Sequence, residues 1–165
     1  MLNINKILSY IFQYMEKKTE KQKMLKGELY KSWDPILTTE RKFAKKMCRI
    51  YNNTKETELE KKFTLLKQFL GEITPPIIIE PPFYCDYGYN INLGKNVYMN
   101  HGCVLLDVNT IKIGKNTMFG PYTQVLTATH PLDPKERLTG REYAKPITIG
   151  KNVWIGGGAI ICPGV

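Results

Sequence analysis

The chain has 165 residues, a formal net charge of +9 and 42% hydrophobic residues, the profile of one packed globular domain with a small appended piece at most, which excludes a disordered or fibrous protein. Its lysines concentrate in the first half, but Glu16, Glu20, Glu28, Glu56, Glu58 and Glu60 are interleaved with Lys17, Lys18, Lys21, Lys23, Lys61 and Lys62; this reads as solvated helix faces and not as a nucleic-acid stripe. Cys48, Cys85, Cys103 and Cys162 are widely spaced, with no CxxC pair and no histidine cluster, so they read as buried, reduced thiols of a cytoplasmic protein with no metal site.

In chain order, residues 1–18 form an N-terminal extension. Its apolar run, Ile4 to Met15, is interrupted by Asn5, Lys6, Ser9 and Gln13. It is too short to cross a bilayer, no cleavage site follows, and it reads as an extra helix or a frayed segment with no membrane role. Residues 19–72 read as a small helical cap. Thr19 caps a helix carrying Met24, Leu25 and Leu29; Asp34-Pro35 is an N-cap followed by proline at the first helical position, leading into Phe43, Ala44, Met47, Cys48 and Tyr51. Thr57 with Glu60 fits a capping box opening a third helix, whose face is Leu59, Phe63, Leu66 and Leu70, and Gly71 follows its end. Pro75, Pro76, Pro81 and Pro82 then forbid a regular helix and mark a boundary.

From Leu93 the chain repeats in sixes. Leu93, Met99 and Leu105 are in phase; after two extra residues come Ile113, Phe119 and Val125, and later Ile149, Ile155 and Ile161. Glycine follows the aliphatic in Leu93-Gly94, Ile113-Gly114, Phe119-Gly120, Ile149-Gly150 and Ile155-Gly156, and Gly-Lys-Asn recurs three times, from Gly94, Gly114 and Gly150. This period predicts a left-handed parallel β-helix over residues 73–165, three flat strands per triangular coil, with the first aliphatic of each hexad pointing inward. Glycine and asparagine suit its corners, where a side chain would clash or φ is positive. The stretch 131–146 carries no hexad features and is polar, so it reads as an extruded loop, the kind of excursion that usually serves as a lid or binding loop. It leaves the coil directly after His130.

The strings Pro81-Pro82-Phe83-Tyr84-Cys85-Asp86-Tyr87-Gly88, Tyr98-Met99-Asn100, Thr127-Ala128-Thr129-His130-Pro131-Leu132-Asp133-Pro134 and Val153-Trp154-Ile155-Gly156-Gly157-Gly158, with the helical Lys23-Met24-Leu25-Lys26-Gly27-Glu28-Leu29-Tyr30, occur in one order. Together they resemble the maltose O-acetyltransferase and galactoside acetyltransferase family, from about residue 19 to the end. The resemblance implies a homotrimer with sites between subunits, acetyl-CoA as cosubstrate, no metal, and a sugar hydroxyl as acceptor. It implies His130 as the catalytic general base, and an imidazole titrating near neutrality is suited to take the proton of an attacking alcohol. Asn100, Asp86, Asp107 and Tyr98 match acceptor-site positions; Asn100 as a turn residue and Asp107 as a corner residue are the structural alternatives. Trp154 with Gly156, Gly157 and Gly158 match the place of the cofactor, an indole to pack on it and bare backbone to run beside it. His101 makes only two histidines in all, short of the three ligands that the metal-binding branch of this fold requires. The family pattern continues past Val165, so the chain is expected to be truncated. A non-catalytic trimeric scaffold, an acetyltransferase for a non-sugar (xenobiotic) alcohol and a lysine-driven nucleic-acid binder are the competing readings.

Overall fold

The computed structural model describes residues 18–165; all of the predicted N-terminal extension except Lys18 lies outside them. The helical segment holds α1 (Glu20–Leu25), a two-residue strand β1 (Tyr30–Lys31), α2 (Pro35–Asn52) and α3 (Leu59–Phe69). Thr19 closes a capping box with Gln22, and the Asp34 carboxylate accepts from the amides of Ile36 and Leu37 with Pro35 opening α2, both as predicted. The third cap differs. Glu58, not Thr57, stands at the N-cap of α3 and makes no side-chain cap there, because its carboxylate is turned back onto the Lys55 amide. Leu59 and Phe43 are exposed, while Leu65, Leu66, Phe69 and Leu70 turn inward. The interleaved charges pair across the surface, as in Lys21–Glu40 at 2.6 Å and Lys61–Glu58 at 2.9 Å, contacts that water screens and that add little to stability. Among the described residues no helix is long and apolar enough to cross a membrane.

The rest is a parallel prism with three faces. Face one stacks β4 (Ile91–Leu93), β7 (Ile111–Ile113) and β12 (Ile147–Ile149). Face two stacks β2 (Ile77–Ile79), β5 (Val97–Met99), β8 (Met118–Phe119) and β13 (Trp154–Ile155); face three stacks β3 (Tyr84–Cys85), β6 (Val104–Leu106), β9 (Gln124–Leu126) and β14 (Ile160–Ile161). All pairings within these faces are parallel, in the left-handed β-helix expected of the hexads. The inward residues stack coil over coil: Leu93, Ile113 and Ile149 on face one; Ile79, Met99, Phe119 and Ile155 on face two; Cys85, Leu105 and Val125 on face three. The same phase runs one coil earlier than the repeat counted from Leu93, since Ile73 bridges to Leu93 and β2 and β3 lie under β5 and β6. Pro75-Pro76 and Pro81-Pro82, the predicted boundary, are the corners of that first coil.

The corner chemistry divides between two residue types. Positive φ falls on Asn96, Asn116 and Asn152, whose side chains form a ladder along the vertex between faces one and two, Asn96 Nδ2 to Asn116 Oδ1 at 3.2 Å and Asn116 Nδ2 to Asn152 Oδ1 at 2.9 Å. At Gly94, Gly114 and Gly120 glycine is required for a different reason: a Cβ on Gly114 would stand 2.5 Å from the Gly150 carbonyl oxygen, and one on Gly120 2.4 Å from the Gly157 nitrogen.

The helical segment docks on the first coil by imitating a strand. Asn52 donates to the Phe83 carbonyl at 3.0 Å and accepts from its amide at 2.8 Å, and the Tyr51 hydroxyl donates to the Ile79 carbonyl, so backbone groups that have no further coil to bond are satisfied. The 131–146 stretch is more ordered than an extruded loop. It contains a helical turn, α4 (Pro134–Arg137), and β11 (Arg141–Ala144), which pairs antiparallel with β10 (Ala128–Thr129) on one side and β1 on the other. Ala144 is buried there with Met24, Tyr30, Leu37, Tyr87 and Val108. Sequence periodicity could not show this, because one of the two partners of β11, the strand β1, lies over a hundred residues away. Cys48, Cys85 and Cys103 are buried free thiols as predicted, whereas Cys162 is exposed.

Candidate active site

The predicted residues fall on three parts of the prism. The vertex between faces three and one carries Asp86, Asp107 and His130 on successive coils. The vertex between faces two and three carries Asn100 and, two coils on, Gly156, Gly157 and Gly158. Tyr98 and Trp154 project from face two, in one outward row of Ile78, Tyr98, Met118 and Trp154.

His130 follows β10, and its side chain is 56% exposed. The β10–β11 register pairs Ala128 with Ala144 and Thr129 with Tyr143, and one step further sets His130 opposite Glu142. Its Nε2 lies 3.9 Å from Glu142 Oε2, and Glu142 is nearly buried. On the other strand Tyr30 is the register partner of Glu142, and its buried hydroxyl donates to Glu142 Oε1. Burial, together with the Glu142 carboxylate, pushes the Tyr30 phenol far above its ordinary range, so it stays a donor. Neither Glu142 nor Tyr30 was singled out from sequence as a site residue. The available signal was weak: a carboxylate in a short strand-like run, Arg141-Glu142-Tyr143-Ala144, returning toward the histidine.

Asp86 is half-buried, and burial raises its carboxyl above the usual range against the opposing pull of Arg41 and Lys45. It lines a cavity of about 560 Å³ between α2 and face three, with Lys45, Cys48, Arg49, Asn52, Tyr84 and Leu106 among its walls. A larger groove, about 810 Å³, lies on polar face one along Asn92, Lys112 and Thr148, but neither histidine borders it.

Asp107 is a correction. It is fully buried, and its carboxyl accepts from the amides of Asp86 at 3.0 Å, Tyr87 at 2.8 Å and Asn90 at 3.2 Å. It holds the corner beneath it and has no face toward a ligand. Burial pushes it up to about 7 even though those amides pull the other way. Asn100 divides its amide: Oδ1 accepts the His101 amide at 2.7 Å, which is turn chemistry, while Nδ2 is left to donate elsewhere. The His101 ring is held by the Pro81 carbonyl, which accepts from Nδ1 at 2.6 Å. Among the described residues no group of three or more potential metal ligands occurs.

On face two, Trp154 is 66% exposed. At the adjoining corner Gly158 has φ +72°, and Gly157 is pressed against Pro121.

A left-handed prism of six-residue repeats closed by a helical cap is the architecture of the hexapeptide-repeat acyltransferases. Comparison with known proteins narrows this. Residues 23–74 match the maltose acetyltransferase hexapeptide capping motif. The chain is 47% identical over 148 residues to nodulation protein L of Rhizobium meliloti (strain 1021), covering 90% of the chain and 81% of that protein. The solved maltose O-acetyltransferase of Clostridium difficile 630 superposes with a TM-score of 0.88 at 48% identity, over 89% of this chain and 79% of that one. A galactoside acetyltransferase solved in complex with coenzyme A gives 0.85 at 32% identity, over 90% and 74%. The chain belongs to the maltose and galactoside O-acetyltransferase family, and its enzyme class is that of the acetyl-CoA-dependent O-acetyltransferases.

Proposed function

We propose that the chain transfers the acetyl group of acetyl-CoA to a hydroxyl of a maltose-, glucose- or galactoside-like sugar, by direct attack with His130 as general base. The observation that carries this is the His130–Glu142 pair at the root of the loop. A neutral alcohol is a poor nucleophile; as its oxygen attacks the thioester carbonyl, the imidazole takes its proton, and Glu142 steadies the imidazolium that results. The C–O bond forms, the tetrahedral intermediate collapses with loss of the C–S bond, and the departing thiolate takes the proton back from His130. The basic balance of the chain favours approach of an anionic cosubstrate.

In a single chain Asn100 and His130 occupy opposite edges of face three, separated by the width of that face. We therefore place the working site between subunits of a homotrimer, where Asn100 Nδ2 of one protomer holds the acceptor oxygen beside His130 of the next. Asp86 lines the acceptor side, Tyr98 flanks it, and Trp154 with Gly156, Gly157 and Gly158 receives the cofactor arm. The galactoside acetyltransferase captured with coenzyme A supports that cosubstrate; the assignment of acceptor residues rests on family position and on the half-burial of Asp86.

Acetyl-CoA-dependent thiol release, followed over maltose, glucose, galactosides and non-sugar alcohols, tests the proposal. Turnover is expected with a sugar, and H130A is expected to lose about 10²- to 10⁴-fold in kcat while still binding acetyl-CoA in calorimetry. Wild-type rates in H130A would remove His130 from its role. Turnover confined to non-sugar alcohols would overturn the acceptor, and absence of acetyl-CoA binding would leave a scaffold.

A further inference from the structure

We infer that Tyr30, supplied by the helical cap, is a positioning residue for the reaction: its hydroxyl fixes Glu142, and Glu142 in turn fixes the His130 ring. This rests on the reading of His130 as the base. Three strands from distant parts of the chain bring these side chains into one cross-strand row. Tyr30 is the register partner of Glu142 across β1–β11, and His130 stands opposite Glu142 one step past the last β10–β11 pair. One carboxylate oxygen, Oε1, accepts the tyrosine hydroxyl; the other, Oε2, faces the imidazole at 3.9 Å. With Oε1 held, the carboxylate plane cannot rotate away, so the orientation of Oε2 toward the ring follows from the docking of the cap.

The surroundings explain why such a hold is needed. The ring is more than half exposed and has no other partner among the described hydrogen bonds, so a carboxylate free to turn would leave it free to turn as well. The charged and titratable groups around Glu142 are Tyr30 on β1, Asp86 and Tyr87 beyond β3, Arg41 on α2 and His130 itself. Arg41 is committed to the Tyr87 hydroxyl at 2.6 Å and to the Ser32 carbonyl, which leaves Tyr30 as the donor on Glu142. The cap thus does more than close the end of the prism; it carries the last link of the base's support.

A double-mutant cycle on the full chain tests this, with kcat and KM measured for Y30F, E142Q and the pair. E142Q is expected to reduce kcat by about tenfold with KM for acetyl-CoA unchanged, because the imidazolium loses the carboxylate behind it. Y30F is expected to reduce kcat about three- to tenfold with KM for acetyl-CoA unchanged. In the E142Q background Y30F should cost nothing further, because its effect passes through Glu142. Thermal unfolding of each variant separates a folding defect from a positioning one. Fully multiplicative losses in the double variant, or an E142Q protein that raises KM for acetyl-CoA and keeps its kcat, would overturn the inference while H130A remained inactive; an active H130A would overturn the base itself.

Discussion

At the residue scale, side chains of one chemical type serve opposite ends. Asp86 and Asp107 follow strands on adjacent coils, yet Asp86 lines a cavity and Asp107 is sealed under three backbone amides. Replacing Asp107 with alanine leaves those three buried donors without an acceptor, and a loss of about 2 to 4 kcal/mol is expected in urea unfolding. The pH dependence has a definite sign. Its folded value is raised to about 7 from a usual 3.8, so its ionisation opposes folding: the contribution is full below the unfolded value and is lost as pH rises through about 7. The stability advantage of the wild type over D107N should therefore shrink between about pH 4 and 7 and level off above that; an advantage that grows with pH would show that the buried group is favoured as the anion. Sequence gave Asp86 and Asp107 equal standing as acceptor residues, because nothing in a hexad pattern says whether a corner carboxylate faces out or is capped by the turn below.

At the scale of the element, the coil is governed by what lies directly above each corner. Gly114 follows an inward hydrophobic residue, and a Cβ on it collides with the backbone of the next coil. G114A is expected to lower stability by about 1 to 3 kcal/mol through forced backbone shifts, read in thermal unfolding; an unchanged melting temperature would show that the coils can move apart to take the methyl group. The β1–β11–β10 sheet makes the complementary point. Its strands are short, two to four residues, and none announces itself locally; each is defined by the neighbour it meets.

At the scale of the whole molecule, the three faces differ in a way that bears on assembly. Face one presents Asn92, Lys112 and Thr148 to solvent. Faces two and three present Ile78, Met118 and Trp154, and Tyr84 and Ile160, all at least 45% exposed, and Tyr122 at their shared vertex is 68% exposed with φ +59°. Exposed apolar surface of this kind marks an association site, and it lies on the side where the proposed intersubunit site brings Asn100 to a neighbour's His130. Sedimentation at micromolar concentration is expected to report a trimer, and M118E, which places a charge in the middle of the row, should dissociate it and abolish thiol release together. A trimer that survives M118E, or a monomer with full turnover, would remove the intersubunit site.

Sequence alone determined the prism, its phase and its cap helices, because an inward side chain every six residues and a capped apolar helix face are local patterns set by backbone geometry. It also singled out His130, through its place at the root of a stretch that breaks the phase. Only the tertiary structure decided that the broken stretch returns as a strand, that Glu142 and Tyr30 stand behind the histidine, and that Asp107 belongs to the fold. The reason is physical: burial and partnership depend on which coil or cap residue lies opposite, and a chain that spaces Tyr30 from Glu142 by 112 positions carries no local trace of their contact.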